Sequence, residues 1–186
     1  MRSIRKIAMF VLALSASLAV ALPAVASAAR LEQPVGTLMP VGSLITAKSQ
    51  NFVFHTSWGN LTCNELVLQS KVIQNDGASV QGVWGGPGAA KSCFINGTQE
   101  MLVTPELTSL NLSGPQRGTA GLEITMQLPK ATCHLKSSSL AVTYSSGSSV
   151  LSISGPMEVT PACGPMTIQG SYSLTDNETG KPVYVF

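Results

Sequence analysis

No segment of this chain carries an apolar period of 3.6 residues, which speaks against helical bundles and βα units. Charge is also scarce, at 11% of residues, and aromatic side chains make up only 5%. Aspartate occurs twice, as Asp76 and Asp176, each inside a turn signal where it serves the backbone. A Ser-His-Asp site needs an acid to orient its histidine, and neither His55 nor His134 has one nearby in sequence. The Gly-x-Ser-x-Gly elbow is missing. Gly85-Gly86-Pro87-Gly88 lacks the Lys-Ser/Thr that would make it a phosphate loop. Asp176-Asn177-Glu178 is too thin for a calcium loop. Glu65, Glu100, Glu106, Glu123 and Glu158 form no cluster that suggests paired carboxylates for a glycosidase. These absences predict no catalytic residue, no cofactor and no metal site.

Basic patches are lacking as well. The net charge of +2 over the 186 residues includes Arg2, Arg5 and Lys6 at the start. Without them 8 basic residues face 9 acidic ones. Nothing here gathers phosphates, so neither nucleic acid nor anionic lipid is an expected partner.

The first residues read as an address. A basic n-region precedes the uncharged run Ile7 to Leu22, and Ala26-Ser27-Ala28 is a small-x-small cleavage site. Residues 1–28 are expected to be a signal peptide, with Ala29 an equally good last residue. The apolar run is shorter than the ~20 residues that span a bilayer, and no later run reaches that length. The expected location is therefore extracellular or at the cell envelope, with no transmembrane segment once the signal is removed. Residues 29–186 are expected to form one domain.

What is present is cysteine in a regular pattern. Cys63 and Cys93 are 30 residues apart, as are Cys133 and Cys163, and the second pair follows the first by 70. In an exported chain four cysteines read as two disulfides. Three pairings are open, and the equal spacings favour Cys63–Cys93 with Cys133–Cys163. Zinc would call for close Cys-x-x-Cys spacing, which does not occur.

The rest of the pattern is β. Pro34, Gly36, Pro40 and Gly42 open an extended, turn-broken segment before a strand at 43–47. Phe52, Phe54, Thr56 and Trp58 share one parity, with His55 on the other. Leu66, Leu68 and Val72 continue a strand over 65–74. Asn75-Asp76-Gly77 predicts a type I′ hairpin returning at 78–84. Strands follow at 91–95, 101–104 and 109–112, the last two separated by Pro105. Leu122, Ile124, Met126 and Leu128 alternate, then Leu140, Val142 and Tyr144. Met166, Ile168, Gly170, Tyr172 and Leu174 give one long strand, and 183–186 a closing one. The fold class is all-β, an antiparallel sandwich or barrel.

Two similar half-units are expected, over about 43–113 and 119–186. Comparing 62–104 with 132–174 without gaps gives 9 identities in 43 positions, two of them cysteines. The apolar alternation and the hairpin glycines Gly77 and Gly147 also fall in register.

Trp58 and Trp84 are the candidate ligand-binding residues. Each ends a strand beside a glycine-bearing turn, where a flat ring can stack on a sugar. The favoured reading is that each closes one end of the core, which is otherwise poor in aromatics.

Gly36-Thr37-Leu38-Met39-Pro40-Val41-Gly42, Phe52–Thr56, Gly59-Asn60-Leu61-Thr62-Cys63, Asn75-Asp76-Gly77, Cys93, Gly170-Ser171-Tyr172-Ser173-Leu174-Thr175 and Gly180-Lys181-Pro182-Val183-Tyr184-Val185 form a further pattern. It resembles a group of exported, cysteine-bridged β-rich proteins of actinobacteria. The likeness covers most of the chain after the leader and implies no established activity and no catalytic residues. The expected function is that of a secreted, non-enzymatic β-protein, acting at the cell surface by binding or as an envelope component. A carbohydrate- or protein-binding module using a Trp58/Trp84 end is the alternative, with a cell-surface glycan or protein as partner. An exported hydrolase with an atypical site stands third.

Overall fold

The computed structural model describes residues 28–128 and 131–186. The expected leader lies outside the described residues apart from Ala28. The elements are β1 (Leu31–Glu32), β2 (Leu44–Thr56), β3 (Gly59–Asn75), β4 (Ser79–Trp84), β5 (Ala89–Ile95), β6 (Gln99–Ser113), β7 (Arg117–Leu128), β8 (Ala131–Tyr144), β9 (Val150–Val159), β10 (Met166–Asp176) and β11 (Tyr184–Val185). A 3-10 turn, Pro161–Cys163, precedes β10. Among the described residues no helix is long and apolar enough to cross a membrane.

Every strand pairing is antiparallel, and the pairings close on themselves. β2 pairs with β3 on one side and β10 on the other, and β10, β9, β8, β7 and β6 follow in order. The gap between β6 and β3 is filled by β4 and β5 end to end. β4 pairs with β3 at Ser70–Asn75, and β5 pairs with it at Leu61–Val67. Of the two all-β arrangements open to the sequence, the chain therefore adopts the barrel, as an eight-position up-and-down meander.

Alternation decides what fills it. Phe52, Phe54, Leu61, Leu66, Leu68, Leu122, Ile124, Met126, Leu135 and Tyr172 are fully buried inside. Their sequence neighbours His55, Lys136 and Ser171 face out and are exposed. Burying each large apolar side chain contributes about 1.5–3 kcal/mol, so this interior dominates the stability.

Parity reverses along several strands at β-bulges. On β2 the inward residues are Ile45, Ala47 and Ser49, then Phe52 and Phe54, and the register with β10 shifts between Gln169 and Tyr172. β6 does the same between Leu107 and Leu110. The expected separate strands at 43–47 and 52–58, and at 101–104 and 109–112, are thus single bent strands. Pro105 does not break β6. Residues 102–108 of β6 have no pairing on the side of β4 and β5, and the Gly85–Gly88 break lies there. A Cβ on Gly88 would run into the Pro105 carbonyl oxygen, so the edge from which Pro105 lacks an N–H needs no donor.

The Asn75 hairpin differs from expectation in type. Asn75 pairs with Val80, leaving four loop residues, and of Asp76 and Gly77 only Gly77 has a positive φ, 81°. Asp76 shapes the loop through its carboxylate, which accepts the Ala78 and Ser79 N–H groups at 2.9 Å.

The two barrel ends are closed differently. At one end β1 and β11 form a two-stranded cap, pairing Leu31 with Val185. Leu31, Met39, Val183 and Val185 are buried beneath it. The buried Asn75 side chain ties the cap down: Oδ1 accepts the Leu31 N–H, and Nδ2 donates to the Leu31 and Met39 carbonyls. The other end carries the β2–β3 turn, the 3-10 turn and both disulfides.

Candidate functional site

The disulfides are Cys63–Cys93 and Cys133–Cys163, the pairing that equal spacing favoured. Cys63 on β3 lies directly across from Cys93 on β5. Cys133 on β8 anchors Cys163 in the 3-10 turn. All four are buried. Each closes a loop of 30 residues, and for that size the chain-entropy model gives roughly 3–4 kcal/mol.

The two tryptophans part company. Trp58 sits at the β2–β3 turn, half-buried against the core, and its Nε1 donates to the Cys163 carbonyl at 3.1 Å. Its ring thereby fastens the turn to the 3-10 segment. Trp84 ends β4, opposite Ser70 on β3, and is 54% exposed. Eleven residues of β3 separate Gly59 from Ser70, roughly 35 Å at ~3.3 Å per residue. The two rings therefore share no end and build no common site.

The histidines are also apart. The exposed His55 ring on β2 meets Asn60 Oδ1 at 3.0 Å, and His134 on β8 meets Thr125 Oγ1 at 3.3 Å. Both aspartates lie at the opposite, capped end. Asp176 Oδ1 accepts the Glu178 and Thr179 N–H groups, as Asp76 does in its own loop. Hydrogen bonds from Ser79 N–H, Ala78 N–H and the Gln74 side chain hold the Asp76 carboxyl down at about 2.

Glutamates occupy outer-wall positions that only the register reveals. Glu65 on β3 bridges Lys48 on β2 and Lys91 on β5, and those two ammonium groups lower its pKa. Glu106, Glu123, Lys136 and Glu158 stand side by side across β6, β7, β8 and β9. Glu123 accepts from Lys136 at 2.7 Å and raises the lysine's pKa. Among the described residues no three His, Cys, Asp or Glu side chains converge as a metal site.

A concavity lies elsewhere, on the outer wall over β9, β10 and β2. Gln50, His55, Ser152, Gln169 and Ser171 line a groove of about 600 Å³. A second hollow of about 500 Å³ continues it past Ser171 and Gln50 to Thr46, Lys48, Ser173 and Thr175. Its polar lining is amide and hydroxyl with one imidazole and one ammonium, interleaved with the apolar Val53 and Ile153, and it includes no carboxylate. The wall is shaped here by the β2 bulge and by Gly170, where a Cβ would enter the Phe52 ring. Ser152 and Ser171 hydroxyls meet at 3.1 Å across β9 and β10. Sequence reading did not single out Gln50, Ser152, Gln169 or Ser171. The outward parity of 169, 171, 173 and 175 was visible, but which strand would lie beside them was not. A smaller hollow of about 290 Å³ at the capped end is lined by Gln33, Pro34, Pro182 and Tyr184. No family model, no curated protein and no solved structure matches the chain.

Proposed function

We propose that this is an exported, non-enzymatic β-barrel that acts at the cell surface by binding, or as an envelope component, through its outer wall. One observation carries the reading: the interior is packed with apolar side chains and capped by β1 and β11, while the outer wall holds a groove whose polar lining is mostly hydroxyl and amide. Such a lining suits a neutral, hydroxyl-rich partner such as a cell-surface glycan. It offers donors and acceptors in rows about 7 Å apart along each strand and about 4.8 Å between strands. The two buried disulfides are consistent with an oxidising, extracellular setting and support the signal-peptide reading of residues 1–28.

The proposal includes a duplicated unit. Support comes from strand positions: a shift of 70 carries β2 onto β7, β3 onto β8 and β6 onto β10. It also carries Gly77, at φ 81°, onto Gly147, at φ 76°.

A glycan array probed with the secreted protein tests the reading. Binding that falls at least tenfold in Gln50→Ala and Gln169→Ala, with the fold intact, is the expected result. Binding to no surface glycan, with no retention on isolated cell wall, would overturn it. The 54% exposure of Trp84 favours a second reading, a glycan- or protein-binding surface around that ring alone. It predicts loss in Trp84→Ala and none in the groove variants. An exported hydrolase would be supported by an activity that disappears with His55 or Glu123.

A further inference from the structure

We infer that the barrel interior contains a binding site for one small neutral molecule bearing a hydroxyl group, water or a small alcohol, held by Tyr172 and Ser49. The Tyr172 side chain is fully buried, and its hydroxyl has no hydrogen-bond partner in the protein. Ser49 is 1% exposed, and its hydroxyl also has none. Elsewhere this interior satisfies its polar groups. Ser70 Oγ donates to the Val83 carbonyl at 3.2 Å, Tyr144 Oη to the Gly114 carbonyl at 3.1 Å, and Asn75 uses both ends of its amide. The two exceptions are direct neighbours: Tyr172 on β10 and Ser49 on β2 face each other in the strand register.

A buried hydroxyl without a partner forfeits its hydration and receives nothing in return, so isolated cases are rare. Two at adjacent positions are most simply explained by a shared third partner. The next residues in register, Leu66 beside Ser49 and Leu151 beside Tyr172, are apolar and offer none. The inward wall position next to Ser49 on β2 is the small, buried Ala47. The Tyr172 ring is steadied by Phe52, 5.6 Å away between centroids. The buried acids Glu32 and Asp176 are both at the capped end, already engaged with Arg30 and with loop N–H groups. Nothing near the hydroxyl pair would neutralise a charge, so the occupant is neutral. A hydroxyl fits because it accepts from one group and donates to the other.

The test compares Tyr172→Phe, Ser49→Ala and the double variant with the parent protein. Each keeps the packing nearly unchanged, so folding is retained. If both hydroxyls hold one molecule, each single variant lowers the melting temperature by about 2–5 °C. The double variant then falls no further than the worse single, since both changes release the same occupant. Mass spectrometry of a denatured extract reports a retained alcohol. Solvent-to-protein cross-peaks at the Tyr172 ring in NMR report water. A Tyr172→Phe protein that melts at or above the parent temperature overturns the inference, as do independent, additive losses in the two single variants.

Discussion

Replacing Asn75 tests whether one side chain holds the cap on the barrel. In Asn75→Ala the Leu31 N–H loses its acceptor at 3.0 Å, and the Met39 carbonyl loses its donor at 2.9 Å. The Leu31 carbonyl keeps the Met39 N–H at 2.9 Å, so two groups and not three are stranded. Each stranded buried group costs about 1–3 kcal/mol. Detaching the cap instead would expose Leu31, Met39, Val183 and Val185, at about 1.5–3 kcal/mol each, so the cap should stay docked and bear the strain. The expected loss is about 2–6 kcal/mol in urea unfolding, a large share of the 5–15 kcal/mol typical of a domain. Asn75→Asp should be worse at neutral pH, because its second oxygen would face two carbonyls where Nδ2 donates now. Burial beside those carbonyls raises that carboxyl's pKa in the folded state. The variant should therefore recover stability as pH falls, when protonation restores a donor. Hydrogen exchange read at the Leu31 amide gives an independent measure. A loss below about 0.5 kcal/mol in Asn75→Ala, with Leu31 protection unchanged, would refute the reasoning.

Asp76 should contribute to acid sensitivity. Its folded pKa is lowered from 3.8 to about 2 by Ser79, Ala78 and Gln74, so its contribution is present above the unfolded value and lost as pH falls through about 2. Asp76→Asn should flatten the stability curve between those two values, as read by thermal melts across acid buffers. Trp58→Phe should cost about 1–2 kcal/mol, because the Cys163 carbonyl loses its Nε1 donor. Trp84→Phe should change stability by less than about 0.5 kcal/mol, since that ring is mostly in solvent. Equal losses in the two tryptophan variants would contradict the different roles assigned to them.

The sequence made the class and the disulfides legible because both rest on local or periodic features. Alternation identified the inward residues Phe52, Phe54, Ile124, Met126, Ile168 and Leu174, which are all buried. Alternation also misled at bulges. One extra residue near Asn51 or Thr108 reverses parity, and a reversed pattern looks like the end of one strand and the start of another. Pro105 and Gly85–Gly88 each read as an interruption, although one edge of the barrel uses them together. The role of Asn75 was hidden for a similar reason. Its place before Asp-Gly suggested turn chemistry, while its partners at Leu31 and Met39 are some 40 residues away. The outer groove was hidden because adjacency of β10 to β2 is a property of closure, and no local pattern encodes it.

That closure has a consequence for how the protein comes into being. The β2–β10 seam joins Ile45 to Asp176, residues from opposite ends of the described chain, whereas the other wall pairings join strands that follow one another closely. During synthesis β2 and β3 can zip as soon as both have emerged, but the free edge of β2 must wait for nearly all the rest. Until then an incomplete sheet exposes the edges through which β-proteins associate with one another. Seam formation, costly in loop entropy, is expected to be the late and slow event, and the interval before it the period of greatest vulnerability.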